Sequence, residues 1–256
     1  MKMTYKFPFL LLLFYPVFLF GQSSEEQFQK ALRLKNDLKF EEALPLFQQL
    51  LKNDSNNTNY LVNTAFLLCK IGNREKEEKN RQRYFRNAAY LSKKAITINN
   101  NNAPAHYNYA LALGRINEFA GTKQKIANAK VIKTECDQAI KLDPKMAGAY
   151  HILGRWHQTI AGFNLIEKAM INTMFGGVPE GGSYDAAIEC FSKAISIEPG
   201  YKLHYYELAL TYHERGKDKD DIYSKIWVKK AIDLPVRDND DKETQKKCEE
   251  LLKKVE

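Results

Sequence analysis

The stretch Tyr184-Asp185-Ala186-Ala187-Ile188-Glu189-Cys190-Phe191-Ser192-Lys193-Ala194-Ile195-Ser196-Ile197-Glu198-Pro199 decides the fold. Ala187, Phe191 and Ala194 recur at steps of four and three, so they share one face of a helix. Two small residues flank one ring on that face, and small residues are what let a neighbouring helix come close. Pro199 closes the run, because a further turn cannot use a residue that has no N–H. The stretch therefore predicts a helix stacked tightly against another and ended by its proline.

Working outward, Cys136-x2-Ala139-x4-Pro144 repeats the end of that helix. A second pattern precedes or follows each such run: His106-x2-Tyr109-Ala110-x2-Leu113, Tyr150-x2-Leu153-Gly154-x2-His157 and Tyr205-x2-Leu208-Ala209-x2-Tyr212. Together they resemble the first and second helices of tetratricopeptide repeats. Ala95, Ala139, Ala194 and Ala231 recur at intervals longer than the ~34-residue period, by about 10, 21 and 3 residues. Extra residues placed between the two helices of a repeat leave its stacking surfaces intact. An earlier hairpin runs from Phe28–Leu34 to Phe40-x2-Ala43-x3-Phe47-x2-Leu50. Tyr60–Leu68 with Gly72 is answered by Ala88–Ile98. The charged stretch Arg74–Arg86 reads as the solvated start of a lengthened second helix, with a functional basic patch as the alternative. Asp240, Lys242-Glu243 and Leu251-Leu252 fit a capped terminal helix with a polar outer face. The expected architecture is all-α: a superhelix of about five hairpins (24–53, 57–100, 103–144, 147–199 and 202–236) with irregular insertions and a closing helix at 239–255.

Composition agrees with a packed chain. It has 256 residues, 44% of them hydrophobic and 12% aromatic, too many for wholesale disorder. Thirteen Gly and four Cys exclude a collagen-like or disulfide-scaffold class. The net charge of +8 is spread along the chain, which implies solubility and weak attraction to acidic surfaces rather than a nucleic-acid site. Lys2 and Lys6 precede the uncharged run Phe7–Phe20, whose helical length of about 21 Å falls short of a hydrocarbon core of about 30 Å. Pro8 and Pro16 weaken a spanning helix further. With Gly21 before Gln22-Ser23-Ser24, residues 1–21 read as a cleavable signal peptide, which directs the chain to the periplasm or envelope and leaves a mature charge of +6. The alternative is an uncleaved membrane anchor. No Cys follows the run, so a lipoprotein is not supported.

From about Arg86 the order of features becomes more specific. His151-Ile152-Leu153-Gly154-Arg155-Trp156 opens a helix read as continuing through Phe163, Ile166 and Met170. Phe175, the Gly176–Ser183 loop, Tyr184-x-x-Ala187 and Phe191 follow. Then come Glu198-Pro199-Gly200 and Ala231-x2-Leu234-Pro235. Over about 170 residues this resembles the regulator of microtubule dynamics family of tetratricopeptide-like proteins. The resemblance implies the fold and, by the family name, a cytoskeletal role. The amino-terminal signal and the Asn- and Lys-heavy composition point instead to an exported bacterial member, which would never meet tubulin.

No catalytic constellation is recognisable: there is no Gly-rich phosphate loop, H-E-x-x-H, G-x-S-x-G or Cys-x-x-Cys, so an enzyme is not expected. No cofactor is expected either. His151 and His157 lie six residues apart, about 120° from facing together on a helix, which is poor for a shared metal. His157 falls at a packing position. Cys69, Cys136, Cys190 and Cys248 have spacings that predict no bridge, and Cys136 reads as a small buried hydrophobe. Carrying the tetratricopeptide groove over by position selects Tyr107, Leu111 and Arg115, then His151, Arg155 and Gln158, then Tyr206, Leu210 and His213. Rings beside two Arg suit an extended peptide carrying a carboxylate or phosphate, although the same positions also pack superhelices. The carboxylate clamp of Lys and Asn known in tetratricopeptide arrays is not reproduced. A second candidate is the inserted stripe of Phe163, Ile166, Met170 and Met174, with Ile160. It is expected to close the core over the groove, or otherwise to hold a partner helix or a lipid chain. The functional expectation is a protein- or peptide-binding scaffold. Lipid or apolar-ligand binding, and a membrane-anchored cytoskeletal role, are the alternatives.

Overall fold

The computed structural model describes residues 23–175 and 177–256. The segment 1–22, with the expected signal peptide and its Gly21 junction, lies outside them. The described residues form helices α1 (Ser24–Asn36), α2 (Phe40–Asn53), α3 (Thr58–Arg74), α4 (Glu78–Ile98), α5 (Ala103–Ile116) and α6 (Thr122–Leu142). They continue as α7 (Ala147–Gly162), α8 (Leu165–Phe175), α9 (Tyr184–Ile197), α10 (Lys202–Arg215), α11 (Asp220–Asp233) and α12 (Asn239–Lys254), with no strand among the described residues. Hairpins α1·α2, α3·α4, α5·α6, α7·α9 and α10·α11 stack in chain order, and α12 packs on α10 and α11. This is a tetratricopeptide-like superhelix.

Local chemistry explains the helix boundaries. Ser23 and Glu26 form a reciprocal capping box at the start of α1. Asn57, Asn102, Ser183 and Asp238 each accept a backbone N–H in the first turn of α3, α5, α9 and α12. Gly216 ends α10 in the left-handed conformation that glycine adopts without strain.

The small-residue pattern is packed as its spacing demands. Ala187, Phe191 and Ala194 are all buried, and so are Ala139, Cys136, Ala110, Ala209 and Ala231. Gly154 of α7 faces the Phe191 ring so closely that a Cβ would meet it at 2.8 Å. Gly72 of α3 meets the Phe85 ring of α4 in the same way, at 2.9 Å. Lys202 is a buried residue that the sequence reading did not single out. Its Nζ donates to the carbonyls of Ala231 (2.6 Å) and Leu234 (2.7 Å) and to Gln245 Oε1 (2.7 Å). It satisfies the open end of α11 and ties α10 to α12.

The charged stretch opens the lengthened second helix α4 as expected, from Glu78 onward, with Arg74 closing α3. One expectation is corrected: α7 does not run on through Phe163, Ile166 and Met170. It ends at Gly162, and Asn164 starts α8 through a second capping box: Glu167 N–H donates to Asn164 Oδ1 (2.9 Å) and Asn164 N–H to Glu167 Oε2 (2.8 Å). The longest insertion is therefore an added helix beside the hairpin. The insertion of about ten residues between Ala95 and Ala139 is absorbed largely by α6, 21 residues long against 14 in α9.

Candidate functional site on the inner helical layer

Successive first helices touch one another, α3 with α5, α5 with α7 and α7 with α10, and so form the inner layer of the superhelix. The hydroxyl end of the Tyr107 ring of α5 lies against Gly148 of α7, where a Cβ would come within 2.6 Å of it. Burial above all, with Tyr201, Cys69 and Glu198 nearby, holds its hydroxyl far above the usual tyrosine range, while Arg115 pulls the other way. Of the predicted groove residues, Arg115 acts on both the Tyr107 hydroxyl and the His151 imidazole, and Arg155 acts on His151 together with Lys70 of α3. Lys70 stands five residues after Ala65, the offset at which Arg115 follows Ala110. That shared offset was the available signal, and the sequence reading missed it.

The two arginines are steered by carboxylates. Arg155 Nη1 donates to Glu207 Oε2 of α10 (2.7 Å), and Arg115 Nη1 donates to Glu118 Oε1 (3.1 Å). Glu118 also receives Arg81 of α4. The Arg115 and Arg155 side chains keep 33% and 47% of their exposure, whereas Glu207 is buried. Each guanidinium is fixed at one edge and open to solvent elsewhere, an arrangement suited to a further anion.

His151 belongs to the packing. Its Nδ1 shares a 2.9 Å hydrogen bond with His204 Nδ1 of α10, and its ring meets Phe191 edge-on at 5.5 Å. Burial first, then His204, Arg155, Arg115 and Lys70, press its imidazole well below the ordinary histidine range. His204 Nε2 is buried with no hydrogen-bond partner, and Glu198 stands 3.7 Å away.

The remaining groove positions depart from the expected row. Tyr206 and Leu210 pack on the cluster of Ala209, Val228 and Cys248, because α12 takes the place of a next first helix and covers this part of α10. Burial and Glu207 push the Tyr206 hydroxyl up to about 12. His213 Nδ1 pairs with Asp221 of α11 (2.9 Å) and turns toward its own hairpin. Gln158 is buried and donates to Glu214 at 2.8 Å. Leu111 packs into the amino-terminal core cluster.

The inserted stripe is also reassigned. Leu165, Ile166, Met170 and Met174 of α8 are 85%, 80%, 49% and 66% exposed, so they close no core. Ile171 is the α8 residue that buries, and Phe163 packs on the cluster around Trp156 and Ile160. The cleft beside α8, about 580 Å³, is lined by Lys130, Lys168, Asn172, Ile160 and the 177–182 loop, and by none of the four predicted stripe residues.

The sequence reading also missed a charged meeting of α3 with the start of α12. Lys70 Nζ lies 2.6 Å from Asp240, and Arg74 reaches Asp238 at 2.6 Å and Asp240 at 3.1 Å. Among the described residues no three His, Cys, Asp or Glu side chains group to hold a metal ion, the four thiols are free, and no helix is long and apolar enough to cross a membrane.

Among solved structures, the crystal structure of TTC0263, a tetratricopeptide protein of Thermus thermophilus, aligns with a TM-score of 0.62 at 14% identity. The alignment covers 88% of this chain and 98% of that one, and it supports the fold alone. Regulator of microtubule dynamics protein 1 of Bos taurus is 31% identical over 167 residues, 65% of this chain and 51% of that protein. The Homo sapiens protein 1 is 30% identical over 166 residues (64% and 52%). Protein 3 of Mus musculus is 28% identical over 209 residues (80% and 44%). The chain spans about half the length of these curated relatives. With residues 27–256 matching its sequence model, the chain belongs to the family described as regulator of microtubule dynamics protein 1-3.

Proposed function

We propose that the chain is a non-enzymatic interaction scaffold that takes an acidic segment of a partner protein on its inner helical layer. The observation that carries this reading is the pair Arg115 and Arg155: both partly open to solvent, both anchored at one edge by a carboxylate, on successive first helices. A partner carboxylate or phosphate meeting the open edges gains charge-assisted hydrogen bonds, and Tyr107 between α5 and α7 offers an apolar face beside them. The proposed compartment is the periplasm or envelope, reached through the basic and apolar amino terminus. The microtubule role in the relatives' names is a proposal for this chain only if that terminus is kept as an anchor and the repeats face the cytosol.

The test uses a glutamate-rich peptide probe and the double variant Arg115→Ala/Arg155→Ala, with far-UV circular dichroism as the control. Binding weakened at least about tenfold, or about 1.4 kcal/mol, with unchanged helicity supports the inner layer as the site. Equal affinity in the two proteins rejects it. A second reading rests on the exposed apolar stripe of α8, which suits a lipid surface. Flotation with anionic vesicles that disappears in Ile166→Ser/Met170→Ser supports that reading, and flotation unaffected by those changes removes it.

A further inference from the structure

The side chain of Asp240 makes its polar contacts outside its own helix. Its Oδ2 lies 2.6 Å from Lys70 Nζ and its Oδ1 accepts from Arg74 Nε at 3.1 Å. Asp238 divides its work: Oδ1 caps α12 by accepting from Asp241 N–H, while Oδ2 accepts from Arg74 Nη2. These bonds join residues more than 160 positions apart. The helix packing of α12 is on α10 and α11, and that of α3 is on α2, α4 and α5, so the meeting of α3 with α12 is chiefly ionic. Lys70, Arg74, Asp238 and Asp240 are 14–18% exposed, which protects their attraction from full screening. The cations are also seated on rings: Lys70 and Arg74 over Phe40 at 5.5 and 4.8 Å, and Lys70 over Tyr201 at 5.9 Å. The turn itself is braced, since the backbone N–H and Nε of Arg237 both donate to Asp241.

Lys70 stands in the same register as Arg115, so the acidic turn already occupies one end of the cationic row that faces inward. We propose that the Asp238–Asp240 turn is an internal ligand of that row: a clasp that joins α3 to α12, sets how open the inner layer is, and competes with an incoming acidic segment. The joining of α3 to α12 stands on the geometry alone, and the competition rests on the function proposed above.

Nitroxide labels on Lys76→Cys and Lys242→Cys, outside the clasp, read the α3–α12 separation by pulsed electron resonance on the full chain. The isosteric double variant Asp238→Asn/Asp240→Asn keeps an asparagine at the cap position and removes the charges. The expected result is a short, narrow distance in wild type that lengthens and broadens in the double variant. A smaller change in the same direction is expected in wild type when salt rises from about 0.05 M to about 1 M, because these partly buried pairs are screened only in part. The single variant Asp240→Asn, which leaves the Arg74–Asp238 bond in place, is expected to lengthen the distance less than the double variant. If the distance is the same in wild type and double variant at both salt levels, the clasp is overturned. If the double variant fails to fold, the salt series and the single variant still decide. A glutamate-rich peptide is expected to bind the double variant several-fold more tightly. No gain in affinity, with the distance opened, overturns the competition and leaves the joining intact. A peptide indifferent to Arg115 and Arg155 defeats the proposed site without touching the distance readout.

Discussion

Lys202 combines full burial with a charge, a pairing tolerated only when every donor finds an acceptor. Two carbonyls of the α11 terminus and Gln245 supply them, so the ammonium acts where a helix dipole is negative. Lys202→Met leaves those acceptors without a partner and is expected to lower stability by about 2 kcal/mol or more, read as a shifted urea midpoint. A shift under about 0.5 kcal/mol removes this role. His151 gives a pH prediction. Its folded-state pKa lies below its unfolded value near 6.5, so the unfolded chain binds more protons once pH falls beneath that value. Its contribution is therefore complete above about pH 6.5 and is lost as pH falls. Between pH 7.5 and pH 5 the melting temperature is expected to drop, and His151→Gln is expected to flatten that drop. A profile equally steep in the variant assigns the effect elsewhere.

At the scale of the element, the contact of α7 with α9 turns on one absent side chain. Gly154→Ala pushes a Cβ to 2.8 Å from the Phe191 ring, and overpacking of this kind costs about 1–3 kcal/mol. Thermal melts of the alanine variant check it, and an unchanged melt shows that the ring can yield. For α8, Ile171→Ala is expected to release the helix, whereas Met170→Ala at an exposed position leaves it seated. Amide exchange over residues 165–175 separates the two, and equal protection in both variants contradicts the assignment of Ile171 as its anchor. The boundary before α8 was written in the chain as Asn164-x-x-Glu167, a capping signature. It was outweighed by the three- and four-residue recurrence of apolar residues across Gly162. Periodicity shows which residues would share a face if a helix continued, and it carries no information about whether the helix continues.

Over the whole molecule the same division of legibility holds. The superhelix could be read because repeats leave small residues at fixed offsets such as Ala110, Gly154 and Ala209. The environment of Arg115 and Arg155 was readable only as a row of positions, since Glu207 reaches Arg155 from three helices later. The meeting of Lys70 with Asp240 depends on the curvature summed over the hairpins from α3 to α11, which no local spacing expresses. Three of the four cysteines are buried and the fourth is half-buried, and burial raises all four thiols, to about 12 at Cys69, Cys190 and Cys248. Disulfide-exchange labelling at pH 8 is therefore expected to be slow in the native protein and to report opening of the packed array. Rapid stoichiometric labelling of any thiol in native buffer contradicts that burial.

Repeat arrays whose units touch only their neighbours behave mechanically like springs: pitch and curvature fluctuate, and strain at one end dies out within a few units. The bridge from α3 to α12 makes hairpins two to five into a hoop. In a hoop, a displacement at any unit is felt at every other, because the loop must still close. The first hairpin, α1·α2, packs on α3 outside that hoop and meets the clasp through the Phe40 ring beneath Lys70 and Arg74 and through Glu41, 3.4 Å from Arg74. Force applied through the amino-terminal segment enters at the start of α1, where Gln27 meets Gln49 near the end of α2, a helix length from Glu41. A pull from that side loads the packed core of α1, α2 and α3 first, and the hoop then shares what reaches α3 among all its units.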